Sequence, residues 1–383
     1  MKVALGMIIK SLTSDAELMR FIKNAEKYGH KLDCAIVAYK QHLDPQVEQK
    51  INERLPLFTI DIKNPGYCAE QFRRRGISDA AARTLLECPV GKGSVLVPYG
   101  FNRTVVMIEA ILRGVDILFF VDYDVFPSVL MMTPDGPVAI DIDFFGAHLE
   151  QLASGSQVTT GEYSGYNILP PASFDGMDDL LVGLQKSEMT GYWQSSQTHR
   201  CLMVAPSARE IKPSSKILGG NVAIKLSSFS GLPPFFSSHY TVGGNVFLCR
   251  GEDTVLGLEI AKAGIVCTDI GLSPLHDTYQ NYPVEPDLCG DRSVQERLYY
   301  ACTGWVGRNP FLNYIIGADL KAVRGYQRER LKHGLGALVG YTSNPAFTDV
   351  LKNFDTSWDN LGRYINEFEN VLEAWEEFRN LCL

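Results

Sequence analysis

The 383-residue chain has no Cys-x-x-Cys pair, although it carries nine cysteines, at positions 34, 68, 88, 201, 249, 267, 289, 302 and 382. An odd count without close pairs argues against a zinc knuckle and a disulfide framework. Buried free thiols in a reducing cytosol are the expectation, and a cytoplasmic location with it. No stretch reaches the roughly 18 consecutive apolar residues of a membrane span, so any membrane contact is expected to be peripheral. The apolar start, Met1 to Lys10, is brief and lacks a small-residue cleavage site; it reads as a first core strand rather than a leader. No block of Lys and Arg offers a phosphate-tracking stripe, and the formal net charge is −8. Together these exclude a nonspecific nucleic-acid binder. Internal repeats and low-complexity tracts are absent too.

What is present is an ordinary globular composition, 45% hydrophobic and 21% charged, enough for one large core or two smaller ones. The first half alternates strand-like and helix-like segments, as a mostly parallel sheet requires. Strands are predicted over 2–10, 32–39 and 57–61, with Ser14-Asp15 capping a helix that runs to Tyr28. A second helix is predicted over 102–113, capped by Asn102 and ended by Gly114. Residues 151–250 mix Gly, Ser and Pro clusters with short apolar runs, including 157–163 and 219–224; long loops in compact domains are usually functional. A helix over 252–264 and a strand over 265–270 follow. From about residue 318 the pattern becomes amphipathic helix. This places a main domain at 1–317 and a C-terminal helical extension at 318–383, which packs on the main domain or, alternatively, serves self-association or contact with a membrane surface.

The most informative stretch is 115–127, where an apolar run that reads as a buried strand ends in Asp122 and Asp124. Ligands of open α/β sheets bind outside the carboxyl ends of the strands, and two carboxylates there need a reason for their mutual repulsion. A divalent cation, Mn²⁺ or Mg²⁺, is one, because such ions take one or two protein carboxylates together with substrate phosphates. Asp141-Ile-Asp143 fits the same short pattern but follows the turn-like Pro134-Asp135-Gly136-Pro137 and opens a helical run. It reads instead as an N-terminal cap.

Further along, Gly219-Gly220-Asn221 and Gly243-Gly244-Asn245 offer close backbone approach and small polar groups, suited to a sugar ring resting on the main chain. Gly251-Glu252-Asp253 opens a helix, where either carboxylate can act as a cap, and His276 follows the next strand. This order, an apolar strand ending in Asp-x-Asp, then Gly-Gly-Asn, Gly-Glu-Asp and a His, resembles the GT-A glycosyltransferases, particularly the inverting family 2. It spans residues 3 to about 282.

The resemblance implies a GT-A fold, a Rossmann-like mixed sheet flanked by helices, that takes a sugar from a nucleoside-diphosphate sugar, with UDP or GDP as the nucleotide, and passes it to the hydroxyl of a carbohydrate or other acceptor. It implies that Asp124 binds the divalent ion, that Asp122 lies toward the ribose or sugar as well as the metal, and that His276 is a further metal ligand. It assigns Asn102 and Arg103, after Gly91-Lys92-Gly93, to the nucleotide, with Gly220 and Asn221 beside it. Asp253 is the candidate general base, which would make the reaction inverting, and Glu252 is the fallback. The alternatives are structural: His276 as a satisfied histidine and Arg103 as a surface helix residue. No Gln-x-x-Arg-Trp segment follows the acidic helix, which argues against a processive polysaccharide synthase. Retention of configuration stays open.

Aromatic candidates for the acceptor are Tyr163, Tyr166, Tyr192-Trp193-Gln194 and Phe235-Phe236, which can equally be core packing. Two other readings compete. A sugar nucleotidyltransferase normally has a Gly-rich loop after the first strand, whereas Ile9 to Asp15 contains no glycine. A catalytically silent glycan-binding or scaffold protein has no physical need to keep Asp122, Asp124 and Asp253 at one rim.

Overall fold

The computed structural model describes residues 1–382 except 92, 191–201 and 207–208, and the backbone alone at 228–230. Tyr192-Trp193-Gln194, one of the aromatic candidates, lies outside the described residues. The chain opens with β1 (Val3–Leu12), α1 (Ala16–Tyr28), β2 (Cys34–Leu43), α2 (Pro45–Asn52) and β3 (Leu57–Asp61). Helices α3 (Gly66–Arg75), α4 (Asp79–Leu86) and α5 (Tyr99–Leu112) lead into β4 (Ile117–Asp122). A hairpin of β5 (Val125–Thr133) and β6 (Gly136–Asp141) precedes α6 (Phe144–Ala153), β7 (Val158–Thr160), β8 (Gly165–Tyr166) and α7 (Met177–Gly183). Short strands β9 (Leu202–Met203), β10 (Lys212–Pro213), β11 (Asn221–Lys225), β12 (His239–Val242) and β13 (Asn245–Leu248) fill the middle. Then come α8 (Glu252–Lys262), β14 (Cys267–Asp269), β15 (Pro274–His276), α9 (Arg292–Ile315), α10 (Leu320–Thr342), α11 (Asp349–Asp359) and α12 (Leu361–Cys382).

Eight strands form one mixed sheet in the order β10-β14-β7-β11-β4-β1-β2-β3. Its parallel half, β3-β2-β1-β4, is built by helical crossovers, and β11 then pairs antiparallel with β4. Because side chains alternate along a strand, Ala4, Ile8, Leu118 and Phe120 face a layer with α3, α4 and α5. Leu5, Met7, Phe119 and Val121 face the other, with α1 and α6. Both faces are covered, which explains why β1 and β4 read as continuous apolar runs rather than alternating ones. Gly6 matters at one point: a Cβ there would press on Leu118, on Val106 of α5 and on the Phe119 carbonyl at 3.1–3.2 Å.

The architecture is the expected mixed α/β sheet flanked by helices, with helices at the C-terminal end. Helix α9 shares its core with α10 and α11 through Leu298, Trp305, Leu331, Leu338 and Phe354. Helix α12 returns to the sheet domain, where Phe378 stacks on Phe72 at 5.1 Å between centroids and Trp375 Nε1 donates to the Leu232 carbonyl at 2.7 Å. No helix among the described residues is long and apolar enough to cross a membrane. The eight described cysteines are free, and burial pushes the thiols of Cys249, Cys267 and Cys302 up to about 12.

Several local expectations change. Helix α5 begins three residues before Asn102, at Tyr99 behind Pro98; Asn102 is an interior helix residue with no exposure, not a cap. Proline fixes its own backbone near the extended geometry of a cap position, so the Pro98 signal outweighs that of Asn102. Asp143 is indeed the cap of α6, accepting from Gly146 N at 2.8 Å and facing His30 Nε2 at 2.7 Å. Asp141 instead closes β6 and meets Lys27 at 2.5 Å. Gly243-Gly244 turns the β12–β13 hairpin, with both φ angles positive, and does not line the cleft described next.

Candidate functional site

The sheet leaves a cleft of about 770 Å³ at the carboxyl ends of β1 and β4, between which the strand order reverses: β2 and β3 extend from one side of β1 and β4 joins it on the other. This is the switch-point location at which open sheets bind ligands. Asp122 is the last residue of β4 and Asp124 sits in the turn before β5. Two residues apart on a turning chain, they reach different partners.

Asp124 is 5% exposed. Its Oδ1 lies 3.2 Å from His276 Nε2 and its Oδ2 lies 3.5 Å from Arg297 Nη2. Strand β15 pairs with β5, and Asp277 N donates to the Asp124 carbonyl at 2.9 Å, so the backbone itself brings the histidine to the carboxylate. Burial pushes the Asp124 carboxyl up, but His276 and Arg297 outweigh it and hold the group below its ordinary value. His276 Nδ1 faces Thr278 Oγ1 at 3.2 Å, and the ring lies 4.6 Å from that of Tyr163.

Asp122 binds Arg103 Nη2 at 2.7 Å, and the same guanidinium pairs with Glu252 at the start of α8. Arg103 is therefore not a surface residue but a buried bridge between the acidic strand and the acidic helix. Burial disfavours its charge, yet Asp122 and Glu252 together raise its pKa above the ordinary value. Burial also pushes the Glu252 carboxyl up, against the opposing pull of Arg103. Asp253, half-buried on the cleft wall, is the more open of the two: Gly219 N donates to its Oδ2 at 3.3 Å and Thr254 N to its Oδ1 at 2.7 Å.

The Gly219-Gly220 pair has a specific reason. A Cβ on Gly219 would fall on the guanidinium of Arg103, and one on Gly220 would fall on the Asp122 carboxylate. Gly220 N donates to the Tyr163 hydroxyl at 3.0 Å. The glycines thus make room for the charged bridge. Asn221 does not join them at the cleft: with no exposure, it donates to the carbonyls of Glu162 and Leu272 and accepts from His148 Nε2 at 3.1 Å. Asn102 likewise turns inward, both side-chain polar atoms buried without a partner. Phe235 and Phe236 are core, packed on Phe120 and on Phe311 and Phe368. Tyr163 and Tyr166 do line the cleft.

Five cleft cations went unseen in the sequence: Lys186, Arg250, Arg297, Arg308 and Lys216, the last paired with Glu162. Arg297 and Arg308 are eleven residues apart, three turns of α9, and so lie on one stripe. The available signal was that spacing within a helix also carrying Gly304, where a Cβ would collide with the Arg250 side chain.

Among the described residues no group of three or more His, Cys, Asp or Glu side chains is gathered to hold a metal. Asp122 is committed to Arg103, leaving Asp124 and His276. This donor set fits an ion completed by ligand oxygens: a carboxylate held ionised, an imidazole nitrogen facing it, and the second ring nitrogen engaged by Thr278.

No family model matches the sequence, and no curated protein matches it. Among solved structures, the chain is similar to a mycobacterial protein at 13% identity and a TM-score of 0.38, covering 83% of this chain and 75% of that one. It is also similar to glucosyl-3-phosphoglycerate synthase from Mycobacterium tuberculosis in complex with Mn²⁺ and UDP-glucose, at 12% identity and a TM-score of 0.39, covering 83% of this chain and 79% of that one. At these scores the likenesses support no residue assignment.

Proposed function

We propose that the protein is a metal-dependent GT-A glycosyltransferase that moves a sugar from a nucleoside-diphosphate sugar to an acceptor hydroxyl. The observation that carries the reading is the convergence, at one switch-point cleft, of the Asp124–His276 pair with Asp253, while Arg103 ties Asp122 to Glu252. A nucleotidyltransferase or a silent binding domain gives no reason for two acidic centres beside the Arg103 bridge.

In this reading Asp124 and His276 hold Mn²⁺ or Mg²⁺, which when bound offsets the charge of the diphosphate. Arg297, beside Asp124, is placed to turn from that carboxylate to a phosphate oxygen. Asp122 and Arg103 form the floor under the donor rather than metal ligands, because their charges are already spent on each other. Glu252 is held by Arg103, so Asp253 is the carboxylate free to accept a proton. The acceptor oxygen forms a bond to the anomeric carbon, the bond from that carbon to the phosphate oxygen breaks with its electron pair leaving on the diphosphate, and the hydroxyl proton passes to Asp253. Attack from the face opposite the leaving group inverts the configuration.

Nucleoside diphosphate release from a panel of UDP- and GDP-sugars, with Mn²⁺ and with EDTA, tests this. Turnover is expected with one donor class, lost with EDTA, and cut roughly 10²-fold or more in Asp253→Asn with donor affinity kept. An unchanged rate in that variant removes Asp253 from the role, and the anomeric configuration of the product decides inversion.

A further inference from the structure

The cleft has two cationic poles, and the proposed chemistry uses only one. Arg297 belongs with Asp124. The second pole, Arg308, Arg250 and Lys186, lies toward Asp253 and has no assigned task. Arg308 is 5% exposed, its Nε is buried without a partner, and among the described residues its Nη2 reaches only neutral oxygens, Asn309 Oδ1 at 3.0 Å and the Gln185 carbonyl at 3.4 Å. Neither Arg308 nor Arg250 forms an ion pair with a described carboxylate; the nearby Glu252 and Glu188 pair with Arg103 and Lys186.

The three cations also oppose one another. Burial lowers the pKa of Arg308 to about 10 against the opposing pull of Glu188 and Asp253, with Arg250 adding to the fall, and burial followed by Arg308 lowers that of Lys186. Holding like charges together in a desolvated wall costs free energy unless an anion arrives. The backbone is shaped for the arrangement: a Cβ on Gly251 would strike the Arg308 side chain, and one on Gly304 would strike Arg250. Gln185 adopts a positive φ of 54°, and its carbonyl is the one that faces Arg308.

We infer that Arg308, Arg250 and Lys186 form an oxyanion subsite beside Asp253, so that the acceptor carries a phosphate or carboxylate group near the hydroxyl that reacts. This rests on the glycosyltransferase reading for the word acceptor; the oxyanion subsite itself does not. Planar guanidinium groups suit such oxygens through paired hydrogen bonds. The neighbouring Asp253 forms no ion pair with a described cation and lines the same cleft, open to the hydroxyl.

The test is calorimetric titration of the intact protein with methyl phosphate and with acetate, alone and after saturation with nucleotide and Mn²⁺. Binding of one of the two is expected to persist beside bound nucleotide, and Arg308→Met and Lys186→Met each to weaken it about tenfold while nucleotide affinity stays unchanged. Lys186 is the more exposed of the two, at 20% of its side chain, so its variant carries the test if Arg308→Met fails to fold. The inference is overturned if neither anion binds, if both variants bind as the wild type does, or if the anion is displaced by nucleotide and the variants lose nucleotide instead. The last result would assign these cations to the donor diphosphate. Anion binding lost in the variants, in a protein that binds no nucleotide, would keep the subsite and remove the glycosyltransferase reading.

Discussion

Single residues in this cleft are defined by what already holds them. Asp122 and Asp124 look alike in the sequence, yet one is spent on Arg103 and the other faces His276 and Arg297. That difference was not legible, because a two-residue spacing does not say how the chain turns after the strand. Asn102 and Asn221 show the reverse error: polar residues in a promising order that serve the interior. His148 illustrates how strongly the interior sets chemistry. Asn221 donates elsewhere through its amide nitrogen, so its oxygen must receive the His148 Nε2 proton, while Nδ1 takes the Thr159 hydroxyl at 2.8 Å. Burial drives this imidazole down to about 3. Its pKa is ordinary in the unfolded chain and depressed in the folded one, so its contribution is complete above about pH 6.5 and is lost as the pH falls toward 3, at up to about 1.4 kcal/mol per pH unit. Denaturant midpoints between pH 7 and 4 are expected to fall more steeply in the wild type than in His148→Gln. Parallel profiles would contradict a buried neutral histidine.

At the scale of elements, the strands were the legible part. Apolar runs bounded by turn residues located β1, β3 and β4 within a few positions, because a strand covered on both faces admits little else. Helix ends were less legible: Pro98 rather than Asn102 starts α5, and cap signals compete when they lie within one turn of each other. The cap reading of Asp141-Ile-Asp143 rests on its neighbours, the hairpin turn before it and the helix after it, and it holds for one residue of the two. Asp143 caps α6, whereas Asp141 makes an exposed pair of the kind that contributes little. Asp143→Ala is expected to lower stability by about 1 kcal/mol, with Asp141→Ala adding little, and sugar transfer is expected to be unchanged in the double variant. A selective loss of turnover would place that pair in the site after all.

For the whole molecule, the mixed sheet sets the address of the cleft and the late helices complete its chemistry. The sequence-derived boundary at 317/318 falls just after α9 ends at Ile315. Yet α9 presents Arg297, Trp305 and Arg308 to the cleft while packing on α10 and α11. Buried arginines and exposed ones are the same letters in a sequence. Only the fold shows that this helix turns a basic stripe toward the site, and that α12 is anchored on the sheet domain through Phe378 and Trp375.

In the proposed function Asp124 and His276 would hold a divalent ion that offsets the charge of a nucleoside diphosphate. Calorimetric titration of the wild type and Asp124→Ala with UDP and with GDP, each with and without Mn²⁺, addresses this claim most directly. One nucleotide is expected to bind the wild type tightly only when Mn²⁺ is present, and the variant is expected to lose that metal-dependent binding. Binding that is indifferent to Mn²⁺, or that survives in Asp124→Ala, would contradict the claim.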